Sequence, residues 1–249
     1  MKLPSLRRSL LVILASLMLA CQLPGLGSRT PKVTDYPSPD LTVDFTPFEQ
    51  AGCQKDDYGW IRCPQGSALS EMGCDTLQKA SDLLGGLQPA DPIAVCVVRQ
   101  PDEMDYETFY QLESVYRSGG LFPTLYRYAI WREGQFIILE NQQAMREAYA
   151  PIESPEEALS YALALTNLDA YFDLQTQRGW RYFTGTLEET HVVETSQGYE
   201  INLFQYRLFG CGPHPTFEVK VRVTREGDLE TGEMQKLYEN PEEDGLCVD

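Results

Sequence analysis

"SPEEALSYALALTN", residues 154–167, reads as a single helix, and the rest of the fold is worked out from it. Ser154 suits the cap position and Pro155 the first helical position. Glu157 stands where its carboxylate can reach back to the cap amides. Ala158, Leu159, Ala162, Leu163, Leu165 and Thr166 then make a broad apolar face at helical spacing. From Arg181 onward the apolar period shortens from helical to alternating. Four stretches carry the new period: "RYFTGTLEETHVVET" (181–195), "YEINLFQYRLF" (199–209), "TFEVKVRVT" (216–224) and "DLETGEMQKLYE" (228–239). They are separated by "SQG", "GCGPHP" and "REG", all turn-forming compositions. In the third stretch Phe217, Val219, Val221 and Val223 alternate with Glu218, Lys220 and Arg222, which predicts one buried and one wet face. The expectation is an α+β fold: antiparallel sheet with packed helices, its C-terminal part a helix followed by a four-stranded meander.

That order of elements over 154–238 resembles the cystatin-like class of α+β folds, which hosts inhibitors, binding modules and a few enzymes. The resemblance lies in element order and carries no site.

Upstream, residues 46–150 form a cysteine-rich α+β region, set apart from 151–249 or joined with it in one compact unit. "DTLQKASDLLGG" (75–86) reads as a short helix ending at Gly85-Gly86, and "PIAVCVVRQ" (92–100) as a buried strand. "DYETFYQLESVYRSGG" (105–120) has the spacing of an amphipathic helix stopped by Gly119-Gly120. "TLYRYAIWREGQFIILEN" (124–141) predicts a hairpin turning at Glu133-Gly134, and "NQQAMREAYAPI" (141–152) a short helix ended by Pro151. The "REG" turns at 132–134 and 225–227 hint at two related halves.

At the other end, Lys2, Arg7 and Arg8 precede an apolar run from Leu10 to Ala20. That run falls short of the roughly 20 residues a membrane-spanning helix needs, and it suits a cleaved leader over residues 1–20. Met18-Leu19-Ala20-Cys21 resembles the lipobox of bacterial lipoproteins, with Met18 where leucine is usual. The resemblance implies a diacylated Cys21 at the mature N-terminus and a membrane partner reached through that anchor. The chain would face outside the cytoplasm, at the cell membrane or the outer membrane. An ordinary secretory leader is the alternative. Residues 21–45, with four prolines after Cys21, read as the lipidated cysteine and a flexible tether.

Removing the leader leaves 17 of the 20 basic residues against 37 acidic ones, a balance that repels phosphate backbones. Nucleic acid is therefore excluded as a partner class. Six cysteines remain after Cys21: Cys53, Cys63, Cys74, Cys96, Cys211 and Cys247. An even number in an exported chain predicts disulfides. Fifteen pairings are possible, and short-loop closure favours Cys53–Cys63, Cys74–Cys96 and Cys211–Cys247.

Motifs for catalysis are scarce. The two histidines, His191 and His214, are too few for most zinc or triad chemistry. His191 reads as a hydrogen-bonded sheet residue. His214 lies in "GCGPHP" near Cys211, where a free thiol with a base would make a nucleophile, but a disulfide removes that thiol. The loop reads as a pinned hairpin with His214 partly exposed, a candidate recognition loop. Glu188, Glu189 and Glu194, or Asp102, Glu103, Asp105 and Glu107, read as solvated charge without the order of a calcium loop. The rings between Tyr106 and Trp131 read as core. No catalytic residue, metal ligand or cofactor is assigned. The leading reading is a non-enzymatic binding domain for a protein, peptide or glycan. A hydrolase using carboxylates or the Cys211–His214 neighbourhood, and a structural envelope component, are the alternatives.

Overall fold

The capping box of the 154–167 segment forms as its sequence dictates. Ser154 Oγ accepts from the Glu157 amide at 3.1 Å, and Glu157 Oε2 accepts from the Ser154 amide at 3.1 Å and from the Glu153 amide. The computed structural model describes residues 30–101, 103–118 and 124–248. The expected leader and Cys21 lie outside the described residues.

Five helices are described: α1 (Thr46–Gln50), α2 (Ala68–Glu71), α3 (Tyr106–Tyr110), α4 (Gln142–Tyr149) and α5 (Pro155–Leu165). The N-terminal strands are β1 (Lys32–Thr34), β2 (Gln54–Lys55), β3 (Ile61–Arg62), β4 (Thr76–Lys79) and β5 (Ile93–Arg99). After them come β6 (Tyr116–Ser118), β7 (Thr124–Arg132) and β8 (Gln135–Leu139). Strands β2 to β8 build one antiparallel sheet, ordered β2-β3-β4-β5-β7-β6, with β8 also pairing β7. The C-terminal strands are β9 (Arg181–Tyr182), β10 (Thr186–Glu188), β11 (Val192–Thr195) and β12 (Gly198–Tyr206). They continue with β13 (Gly210–Cys211), β14 (Pro215–Thr224), β15 (Leu229–Glu239) and β16 (Cys247–Val248). The second antiparallel sheet runs β11-β12-β14-β15-β9, while β1 pairs β10 in parallel and β13 pairs β16.

Helix α5 is enclosed between these sheets. It packs on β11, β12 and β14 on one side. On the other, the Tyr128 hydroxyl donates to Ala164 O at 3.0 Å, and the Gly86 amide donates to Ser160 Oγ at 3.1 Å. A Cβ on Gly86 would stand 2.5 Å from Glu156 O, so only glycine lets the 82–86 turn lie against the helix. One apolar cluster joins Val43, Ile93 and Ile130 with Leu159, Ile201 and Val221, so the regions 46–150 and 151–249 share a core. A smaller cluster around Phe48, Leu69 and Leu77 includes Cys53, Cys63, Cys74 and Cys96.

Several expectations need correction. Residues 75–86 form β4 and a 3-10 turn (Asp82–Gly86), not one helix. The 105–120 helix is a single turn, α3, because tertiary pairing outweighs the helical spacing. Arg117 takes the Tyr110 and Leu112 carbonyls at 2.5 and 2.7 Å, and the Val115 amide donates to Tyr126 O as β6 joins β7. Gly119 and Gly120 lie outside the described residues. The first meander strand breaks into β9, β10 and β11, which pair with three different neighbours. The domain also begins earlier than expected: residues 31–45 lie on it, with β1 paired and Val43 buried.

That arm changes the wet face of the second sheet. Leu203 and Phe204 alternate on β12, and both are buried. Phe204 is covered by Tyr171, stacked at 4.7 Å, in a cluster that includes Val33 and Leu187. Glu189, read as solvated, is 2% exposed. It accepts from the Tyr36 amide at 2.9 Å and the Leu174 amide at 2.8 Å, fastening the arm to the 166–180 segment. The paired carboxylate thus replaces water with two backbone donors.

Candidate functional site

The third disulfide closes as short-loop entropy favours, and so do the other two: Cys53–Cys63, Cys74–Cys96 and Cys211–Cys247. Three disulfides mark a chain that folds in an oxidising compartment. Cys211 and Cys247 sit opposite one another in the β13–β16 ribbon, with α-carbons 4.0 Å apart. The ribbon projects from the end of the second sheet where β12 hands over to β14. Gly212 makes the close approach possible, since a Cβ there would stand 2.1 Å from Glu243 O.

His214 is buried at 1% exposure, and the expectation of a partly exposed recognition residue is overturned. Its Nδ1 lies 3.2 Å from Arg207 O and its Nε2 3.1 Å from Leu246 O, so the ring spans the two chains of the tip. The cause lies in its partners: backbone carbonyls 7 and 32 residues away point inward at the tip and need a buried donor. Cys211 is held in its disulfide, and a bonded sulfur is not a nucleophile. Cys211 therefore offers no free thiol for His214 to activate.

Further ties stiffen the same unit. The Tyr206 hydroxyl donates to Glu243 Oε2 at 2.9 Å. Partial burial, with the Glu243 bond and charge, pushes that hydroxyl up to about 12. Arg181 joins Glu239 at 2.9 Å and Asp244 at 2.5 Å, tying β9 and β15 to the C-terminal segment. Its bonds to Asp244 and then Glu239 raise the guanidinium further.

What this scaffold holds outward is apolar. Leu208 is 41% exposed, Phe209 52% and Leu246 44%, with Tyr206 beside them. Read as strand, "YRLF" (206–209) gives no sign of an exposed apolar pair. Adjacency is the signal: Leu208 and Phe209 are consecutive, so alternation cannot bury both on one face. Acidic residues Glu242, Glu243 and Asp244 precede Leu246 in the chain, with Gly245 between.

The remaining candidates are structural. His191 Nδ1 bonds Glu189 O at 2.7 Å, and its ring stacks on Tyr36 with centroids 4.2 Å apart. Glu194 pairs with Arg225 at 2.5 Å, and Asp105 caps α3 through the Thr108 amide. Among the rings between 106 and 131, Phe109 and Tyr128 are core, whereas Tyr106 is 52% exposed. Asp102 and Phe122 lie outside the described residues. Among the described residues, no three histidine, cysteine, aspartate or glutamate side chains converge to hold a metal ion, and no helix is long and apolar enough to cross a membrane.

No family model matches this chain, and neither a curated protein nor a solved structure matches it.

Proposed function

We propose that the chain is a lipid-anchored extracytoplasmic binding domain that contacts a partner protein through the disulfide-pinned tip. One observation carries the reading: Leu208, Phe209 and Leu246 stand exposed directly beside a ribbon held by a disulfide, a buried histidine and an ion-pair network. Rigid apolar anchors lose little freedom on binding, which is what contact centres require. Glu242, exposed beside the internally bonded Glu243 and Asp244, suits a partner with a cation next to an apolar socket. A structural envelope component would carry a smooth polar surface here, and a hydrolase would need a free nucleophile or paired carboxylates in a cleft. The lipobox-like Met18 to Cys21 supports the anchor.

Two experiments test the reading. A photoreactive side chain at Phe209 of the full-length protein, in intact cells, is expected to give one discrete adduct that Leu208→Asp abolishes. The same group at Tyr58, 89% exposed on the N-terminal sheet, serves as the control. Identical adducts at both positions, or none at Phe209, would defeat the proposal. Leu208→Asp should shift stability by no more than about 0.5 kcal/mol, as an exposed position does. Cys21→Ser is expected to move the protein from the detergent phase to the aqueous phase; wild type already in the aqueous phase would refute the anchor.

A further inference from the structure

Residues 166–180 run without helix or strand between α5 and β9, a long irregular connection for a packed domain. The segment is nonetheless fastened along its length. Asp169 and Phe204 exchange backbone bonds at 2.8 and 2.9 Å. The Tyr171 amide donates to Thr190 Oγ1, the Thr190 amide donates to Tyr171 O, and the Leu174 amide donates to Glu189. The Gln177 amide donates to the Tyr182 hydroxyl at 2.6 Å. These paired backbone groups hold the segment in one shape without helix or strand.

The shape is an open cleft of about 560 Å³ between this segment and β15. Tyr171, Phe172, Trp180 and Tyr238 form its apolar lining, each half-buried. Two ring pairs set the orientations: Tyr171 stacks on Phe204, and Trp180 lies 5.1 Å from Tyr238. Asp173, Gln175 and Gln177 are exposed among the lining residues, with Gln175 Nε2 donating to Asp173 Oδ1 at 3.1 Å.

We infer that this cleft is a binding site for a neutral oligosaccharide, separate from the tip. Flat half-exposed rings suit the C–H faces of a sugar, which are apolar and rigid. Sugar hydroxyls both donate and accept, and the rim offers a carboxylate acceptor and two amides that do both. A proline-rich peptide, the other common occupant of aromatic clefts, presents carbonyl acceptors and few N–H donors. It would give the free oxygen of the Asp173 carboxylate no donor. Phosphorylated, sulfated or acidic sugars are disfavoured by the surplus of acidic over basic residues. Glycosidic hydrolysis takes two flanking carboxylates, and among the described residues lining the cleft Asp173 is the one carboxylate. The cleft therefore holds the sugar and leaves it intact.

The test is a printed panel of neutral α- and β-linked gluco-, galacto- and N-acetylglucosamine oligosaccharides, probed with the full-length protein. The best binder is then titrated by calorimetry, alongside a polyproline peptide. Trp180→Ala is expected to weaken sugar binding at least about tenfold. Asp173→Ala and Gln177→Ala, at exposed positions outside the core, are expected to weaken it about three- to tenfold, which keeps the test decisive if Trp180→Ala misfolds. Phe209→Asp should leave sugar binding unchanged, separating this site from the tip. No binder in the panel, binding indifferent to Asp173 and Gln177, or tighter binding of polyproline would each overturn the proposal.

Discussion

Cys74 and Cys96 are wholly buried beside Leu69 and Leu77, and Cys53 and Cys63 lie in the same cluster, whereas Cys211 and Cys247 are exposed on a two-stranded ribbon. The bond is the same in both places, but its work differs. Near the N-terminus β2, β3 and α2 are too short to build a core alone, and the sulfurs fill space that leucines would otherwise occupy. At the C-terminus there is no core to fill. The bridge there fixes the shape of a surface unit whose own apolar residues point to solvent.

The comparison can be broken most directly at the buried bridges. Replacing Cys74 and Cys96 together by alanine is expected to cost about 5 kcal/mol in guanidinium unfolding. Chain closure supplies about 2–4 kcal/mol of that and the cavity left behind the rest. Replacing Cys211 and Cys247 together by serine is expected to cost about 3 kcal/mol, a closure effect without a cavity. Amide exchange should then quicken first in residues 206–215 and 243–248. Equal losses from the two pairs would mean that burial adds nothing, and the contrast would fall.

A smaller effect sharpens it. Burial pushes the Glu239 carboxyl up, while Lys236 and Arg181 more than offset this and hold it below the usual range. A lowered carboxylate contributes stability that is present above its unfolded value and lost as pH falls through the folded one. Exchange in the tip is therefore expected to quicken as pH drops below about 4.5, ahead of the N-terminal sheet. Glu239→Gln should remove that pH dependence at a cost of about 1 kcal/mol at neutral pH. An acid response that begins around Cys74 instead would reverse the assignment.

Features set by near neighbours were legible in the sequence. The α5 capping box and the β7–β8 hairpin form as read, the latter turning on Glu133 at φ 53° and Gly134 at φ 81°. The disulfide pairing was legible for the same reason, since loop closure is counted along the chain. What failed depends on distant partners. His214 turns inward because carbonyls 7 and 32 residues away wait for it, and no local pattern announces them. The 105–120 helix gives way to β6 because β7 offers a strand edge. Glu189 and the rings of the 166–180 segment gain meaning only once β1 lies beside β10.

The arm from residue 31 to 45 bears on how far the domain can stray. Under the proposed anchoring at Cys21, the described chain begins nine residues later, at Thr30. Nine residues reach at most about 30 Å, whatever path they take. A domain of this size is about 40 Å across. The leash is thus shorter than the body it holds, and the corner where β1 meets β10 would stay within one molecular width of the lipid surface. Ligands would be met within one leash length and one body width of the bilayer, about 70 Å, and not in the open volume beyond it.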